Sequence, residues 1–251
     1  MDTSQSRTMT ALGAGEKTSY PWLMLFSRSG LFLLFQAMIA LVLAFTGIKF
    51  AWDGSSRYWM LQATLANVVS LFLLLRLFNS EGKRFWDIFH FSRDTWKIDL
   101  LWFIGFSIIG LPIAALPREP LANLIFGDAM VATNMLFRPI PSWAFGLSFL
   151  FPLTIWFSEL PTYFGYCMPR IEAQLKNGWA AWFISSIFLA AQHIFLPLIF
   201  NGSYLLWRSG MFLPFALVTG LALKLRPSLM PYLVIAHALM DLTTVLVYLM
   251  I

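Results

Sequence analysis

Seven apolar stretches punctuate the chain, near Leu31–Ile48, Tyr58–Phe78, Leu100–Leu116, Trp143–Tyr166, Gly178–Leu196, Tyr204–Leu223 and Leu229–Ile251. About 20 apolar residues at helical rise span the hydrocarbon core of a bilayer, so each stretch predicts a crossing helix. Arg208 and Pro214 interrupt the sixth. The expected fold is all-α, a polytopic bundle of about seven transmembrane helices. A polar, small-residue tail over residues 1–20 predicts disorder, leaving 21–251 as the membrane domain. No internal repeat is evident, and no linker sets off a second domain. The loop from Lys83 to Asp99 mixes Trp86, Phe89, Phe91 and Trp96 with charges, which suits an interfacial segment or an irregular loop. The proline-rich stretch from Arg118 to Pro141 predicts a non-helical connection, with at most a short helix around Leu121–Phe126.

Composition strengthens the membrane reading. The 251 residues are 59% hydrophobic and only 12% charged, where soluble domains run near 45–50% and about 25%. Mean hydropathy is +0.72. Twelve of the 17 Lys and Arg residues flank the stretches on the side of the N-terminus, Arg28 among them; five lie opposite, Arg208 among those. The positive-inside rule then puts the N-terminus in the cytoplasm and the C-terminus outside. The net charge of +5 is explained by basic residues bordering apolar helices, where they meet lipid head groups; nucleic acid is not an expected partner. A single cysteine, Cys167, excludes an intramolecular disulfide and a multi-cysteine metal site. Gln36, Gln62 and Asn67, inside apolar stretches, predict hydrogen bonds between helices. His90, in a charged loop, predicts a surface histidine.

Four titratable residues change the picture: Glu159, His193, His237 and Asp241 fall inside stretches expected to be buried in hydrocarbon. Such groups cost several kcal/mol unless they pair or face water, which makes them a candidate site. Their spacing favours convergence. Lys176-Asn177-Gly178 reads as a turn in which Asn and Gly can take left-handed angles. Glu159 lies 17 residues before Lys176 and His193 lies 17 after it. Antiparallel helical arms would bring both to one depth, about 25 Å from the turn, with Arg170, Glu172 and Lys176 projecting into the cytoplasm. His237 and Asp241, four apart, share a helix face.

Hydrolysing a peptide bond in a membrane needs a base for water and donors for the developing oxyanion. Glu159 is the candidate base. His193 and His237 would orient the water, hold the oxyanion or protonate the leaving amine. An ionised Asp241 only accepts hydrogen bonds, so it would fix the tautomer of His237 or help hold a metal. Two imidazoles and a carboxylate would also suit a divalent metal such as zinc with one open position, although no His-Glu-x-x-His pattern is present and a metal-free route is favoured. The bland readings are packed, hydrogen-bonded histidines and a structural His237–Asp241 contact.

The run Ser158-Glu159-Leu160-Pro161-Thr162-Tyr163-Phe164-Gly165-Tyr166-Cys167-Met168-Pro169-Arg170-Ile171-Glu172 resembles the first motif of the CPBP intramembrane proteases, which include type II CAAX prenyl endopeptidases and lysostaphin-resistance-protein-A-like proteins. That motif is Glu-Glu-x-x-x-Arg, commonly continuing Gly-Tyr/Phe-Leu-x-Pro-Arg-Leu-Glu. Leu189-Ala190-Ala191-Gln192-His193 is similar to the second motif, Phe-x-x-x-His. His237-Ala238-Leu239-Met240-Asp241 matches the third, His-x-x-x-Asn/Asp. The resemblance covers about 143–245 in the family's order. It implies an intramembrane peptidase, glutamate-type or metal-dependent, acting on membrane-embedded or lipidated (CAAX-like) substrates, with Glu159, His193, His237 and Asp241 as its catalytic set. Leu160 stands where the family has its second glutamate and Phe164 where it has its arginine, so both charged partners are replaced by apolar ones. The alternative reading keeps the fold as a catalytically impaired protein that binds a membrane partner. A proton- or ion-coupled transporter is a further rival, opposed by the lack of an inverted repeat.

Overall fold

The computed structural model describes residues 19–249, which form helices joined by short turns, with no strand among them. The disorder expected of the tail therefore lies outside the described residues, apart from Ser19 and Tyr20. Helix α1 spans Tyr20–Phe45. Two short turns, Ala51–Ser55 and Ser56–Tyr58, lead into α2, Trp59–Ser80. Then follow α3 (Trp96–Ala115), α4 (Arg118–Phe126), α5 (Ala129–Leu136), α6 (Ser142–Ser148), α7 (Leu150–Ile155), α8 (Met168–Leu175), α9 (Gly178–Gln192), α10 (Gly202–Leu225) and α11 (Met230–Leu246).

Among the described residues, six helical stretches are long and apolar enough to cross a membrane: Tyr20–Phe45, Ala51–Ser80, Trp96–Phe126, Gly178–Phe195, Gly202–Leu225 and Pro227–Leu249. The chain is an integral membrane protein built as an all-α bundle. The fourth expected stretch, Trp143–Tyr166, is not one long helix. It breaks into α6, α7, a turn at 156–158 and a π-helix over Pro161–Cys167 that runs into α8. Prolines explain this: Pro161 cannot donate to the carbonyl of Phe157, nor Pro169 to that of Gly165, so regular i→i−4 bonding fails at both ends of the π segment.

Several other expectations are corrected. Helix α1 starts eleven residues before Leu31, with Pro21 in its first turn, and carries Arg28 inside the bundle rather than at a border. The 118–141 connection is largely helical. Gly127, at φ 77°, closes α4 by donating its N–H to Asn123 O at 2.8 Å. Asp128 caps α5 by accepting from Met130 N, also at 2.8 Å. At the α8–α9 turn the left-handed residue is Lys176 (φ 52°), not Asn177 or Gly178. Asn177 is extended because its side chain caps α9, accepting from Trp179 N and Ala180 N.

The core runs through Leu25, Leu74, Tyr163, Tyr166, Ile171, Leu189 and Leu223. Buried amides tie the helices together as expected. Gln36 donates to Leu198 O and accepts from its N–H. Gln62 donates to Phe32 O and Phe195 O, and Asn67 donates to Thr154 Oγ1. Helix α3 turns outward, with only Asp99 and Gly110 buried. The 83–99 loop holds the short 3-10 turn Phe85–Phe89, with Phe85 buried and Trp86, Phe91 and His90 exposed.

Arg170 does not project away from the bundle. It folds back to donate from Nε to Glu81 Oε1 at 2.8 Å and from Nη2 to Oε2, with its guanidinium over the rings of Tyr166 and Phe78. Burial pushes the Glu81 carboxyl up, but the hydrogen bond and charge of Arg170 outweigh it, leaving Glu81 below its ordinary value. A carboxylate lowered on folding stabilises above its unfolded value and loses that contribution as pH falls through its folded one. The melting temperature in detergent should therefore fall more steeply below about pH 4 in the wild type than in a Glu81→Gln protein. Parallel acid limbs in the two melting curves would show that the pair contributes nothing.

Candidate active site

Glu159 sits just before the π segment, where Thr162 holds the turn by donating its hydroxyl to Ser158 O at 2.6 Å. π-Helical turns often mark functional positions because they re-aim the side chains around them. Here the Glu159 carboxylate is 2% exposed. His193 follows the last residue of α9, and His237 and Asp241 lie on α11. The structure brings all four together. Glu159 Oε2 lies 3.8 Å from His193 Nε2, and Glu159 Oε1 lies 3.5 Å from His237 Nε2. His237 Nε2 is also 3.2 Å from Asp241 Oδ2.

Two further residues complete the cluster, and neither was among the expected four. Arg28 reaches in from α1, fully buried, with Nη2 3.6 Å from Glu159 Oε2. Gln192 stands between them. Its Oε1 accepts from Arg28 Nε at 2.7 Å and from Tyr163 Oη at 3.2 Å, while its Nε2 donates to Glu159 Oε2 at 2.8 Å. One neutral amide thus fixes both a cation and an anion supplied by different helices. The apolar run on either side of Ser27-Arg28-Ser29-Gly30 carried the signal for Arg28: taken as a single helix, it holds a charge near its middle. Gln192, uncharged beside the motif histidine, gave only a weak signal.

His193 is held on three sides. Its ring stacks on Phe212 with centroids 3.5 Å apart, and Nδ1 lies 3.0 Å from Leu189 O. A carbonyl can only accept, so Nδ1 carries a proton, and Nε2 faces the Glu159 carboxylate. Arg208 fixes the backbone below, with Nε donating to His193 O at 3.3 Å and Nη2 to Leu196 O. It is 2% exposed, so it too is not the border residue that the charge pattern suggested. His237 packs edge-on against Phe215 at 5.1 Å.

Leu160 and Phe164 are both buried. Phe164 lies against Gly220 of α10, where a Cβ would collide with its ring. Leu160 lines an apolar cleft of about 50 Å³ between α3, α10 and α11, with Phe106, Gly110 and Phe215, and His237 forms part of its wall.

The donor set does not fit a zinc centre. Among the described residues, no three His, Cys, Asp or Glu side chains are grouped to hold a metal ion. The Glu159 oxygen nearest His193 is already bonded by the Gln192 amide and faces the Arg28 guanidinium, both repelling a cation. Cys167 is buried, with Sγ 3.4 Å from Pro21 O. The chain matches no family model, no curated protein and no solved structure.

Proposed function

We propose that this protein is an intramembrane endopeptidase of the CPBP type, hydrolysing peptide bonds in membrane-embedded or lipidated substrates. The observation that carries the reading is the state of Glu159. Its carboxylate is enclosed, and Oε1 accepts no hydrogen bond although it lies 3.5 Å from His237 Nε2. A buried acceptor left free is costly unless the chemistry uses it. Oε1 takes a proton from water, and the hydroxide oxygen bonds to the scissile carbonyl carbon. The carbonyl π pair moves onto its oxygen. When the tetrahedral species collapses, the C–N bond breaks and His237 hands a proton to the departing amine, recovering one from Glu159. Asp241 Oδ2, 3.2 Å from His237 Nε2 and likewise without a hydrogen-bond partner, is placed to offset positive charge on that ring during the exchange. The ordered resemblance of the three motifs supports the same reading.

The apolar cleft supports a substrate arriving from the bilayer, since His237 forms part of its wall and another wall is the outward-turned α3. Filling it with Ser107→Phe should raise KM for membrane peptides by about ten-fold while leaving kcat within about two-fold, as expected for lost ground-state binding. An unchanged KM would mean the substrate comes by another route. For orientation we keep the N-terminus in the cytoplasm. Burial of Arg28 and Arg208 removes one basic residue from each side's count and leaves the bias intact.

Cleavage of a library of membrane peptides in proteoliposomes, by wild type beside Glu159→Gln and with or without chelator, tests the proposal. Product from wild type alone, insensitive to chelator, is the expected result. No product from wild type would sink the peptidase reading and leave the one favoured by apolar Leu160 and Phe164, a protein that binds a membrane partner.

A further inference from the structure

We infer that Arg28 is the oxyanion-holding group of this site, a catalytic role supplied by the first membrane helix. The inference rests on the peptidase reading above and deepens it. It follows from a census of donors. An oxyanion needs N–H or O–H groups aimed at it in a dry site. His193 is not one of them, because Nδ1 is committed to Leu189 O and Nε2 faces Glu159 Oε2 at 3.8 Å. His237 points its Nε2 between two carboxylates, at 3.2 and 3.5 Å, and is occupied with proton transfer. An ionised Asp241 only accepts. Gln192 Nε2 is spent on Glu159 Oε2, and Tyr163 donates its hydroxyl to Gln192.

Arg28 remains. Only its Nε is used, on Gln192 Oε1. Both terminal nitrogens, Nη1 and Nη2, are buried and have no hydrogen-bond partner. The 3.6 Å from Nη2 to Glu159 Oε2 is an ion-pair distance, longer than the 2.7–3.2 Å or so of a bonded N–H···O. An enclosed guanidinium with idle donors carries an unmet demand for an acceptor, and a carbonyl oxygen gaining negative charge meets it. The Gln192 bridge holds Arg28 and Glu159 in a fixed relation. Arg28 Nη2 lies 3.6 Å from the carboxylate whose other oxygen, Oε1, accepts nothing, so a free acceptor and idle donors belong to one carboxylate–guanidinium pair. Water activation falls to the first and charge stabilisation to the second. The position where the family resemblance expects an arginine carries Phe164, and the guanidinium beside Glu159 comes from α1.

The test uses the purified full chain in proteoliposomes, a cleavable membrane peptide and two non-cleavable peptide ligands. One is a trifluoromethyl ketone, which adds water or an enzyme-held hydroxide to form an oxyanion; the other is its methylene analogue, which cannot. Arg28→Lys keeps the cation and is the variant least disruptive to folding; Arg28→Gln removes the charge. Melting curves establish that each is folded. The expected result is a fall in kcat of about 10²–10³-fold in Arg28→Gln and a smaller fall in Arg28→Lys. KM should stay within about three-fold, and affinity should be lost for the ketone but not for the methylene analogue. A folded Arg28→Gln protein with wild-type kcat overturns the assignment. So does an equal loss of affinity for both ligands, which would reduce Arg28 to a structural partner of Glu159. If wild type cleaves no peptide and does not prefer the ketone, the peptidase reading and this assignment fall together. If wild type cleaves and Arg28→Gln keeps pace, only the assignment falls.

Discussion

A Glu159→Leu protein is expected to melt well below wild type, and adding Arg28→Met should recover most of the loss. Arg28 is fully buried, and Glu159 is its nearest counter-charge. Removing one partner of a buried pair leaves an uncompensated ion and costs about 3–5 kcal/mol, whereas replacing both with apolar residues of similar size is often nearly neutral. For a chain of this length the single substitution should lower the melting temperature by on the order of 10 °C. The comparison is a double-mutant cycle in one detergent, with Arg28→Met as the fourth corner. Gln192 would lose both of its charged partners in the double variant, so recovery should be incomplete. Strictly additive losses would mean that the two groups do not depend on one another and that the cluster is not an electrostatic unit.

The second large effect is on rate. Glu159→Gln keeps the side chain's size and an oxygen for Gln192, but its amide cannot take a proton from water. Removing a positioned general base costs about 10²–10⁴-fold, so turnover of a membrane peptide should fall by at least the lower figure. Melting should change less than in Glu159→Leu. KM should hold within about three-fold, because the carboxylate acts on water rather than on the substrate's ground state. Turnover above about a tenth of wild type would remove Glu159 from the role of base, whatever the geometry around it.

The parts of this arrangement that were legible in the sequence share one property: they are charges or imidazoles set in uninterrupted hydrocarbon. Glu159, His193, His237 and Asp241 stand out because burying them is expensive, and the equal spacing about Lys176 already placed two of them at one depth. Arg28 was hidden by its neighbours. Ser27, Ser29 and Gly30 make it resemble a helix border, and only tertiary packing decides that the helix continues through them. Gln192 was hidden by neutrality, since a buried amide costs far less than a buried ion and calls less attention to itself. Helix breaks were legible as prolines but not in their consequences: Pro152, Pro161 and Pro169 can kink a span or dismantle it. Here the supporting hydrogen bonds of Ser158 and Thr162 let the chain turn without losing its polar groups to lipid. The 118–141 connection misled in the opposite direction, because its prolines fall at or outside helix starts, where a missing N–H does no harm.

The lone thiol of the chain has a practical consequence. Cys167 is wholly enclosed against the first helix, so the native protein should be silent toward water-borne maleimides. Single cysteines introduced into each connecting loop can then be labelled from one face of a sealed vesicle at a time, in the unaltered background. The sidedness of every loop, and with it the compartment in which the N-terminus resides, becomes readable without first stripping the protein of its own sulfur.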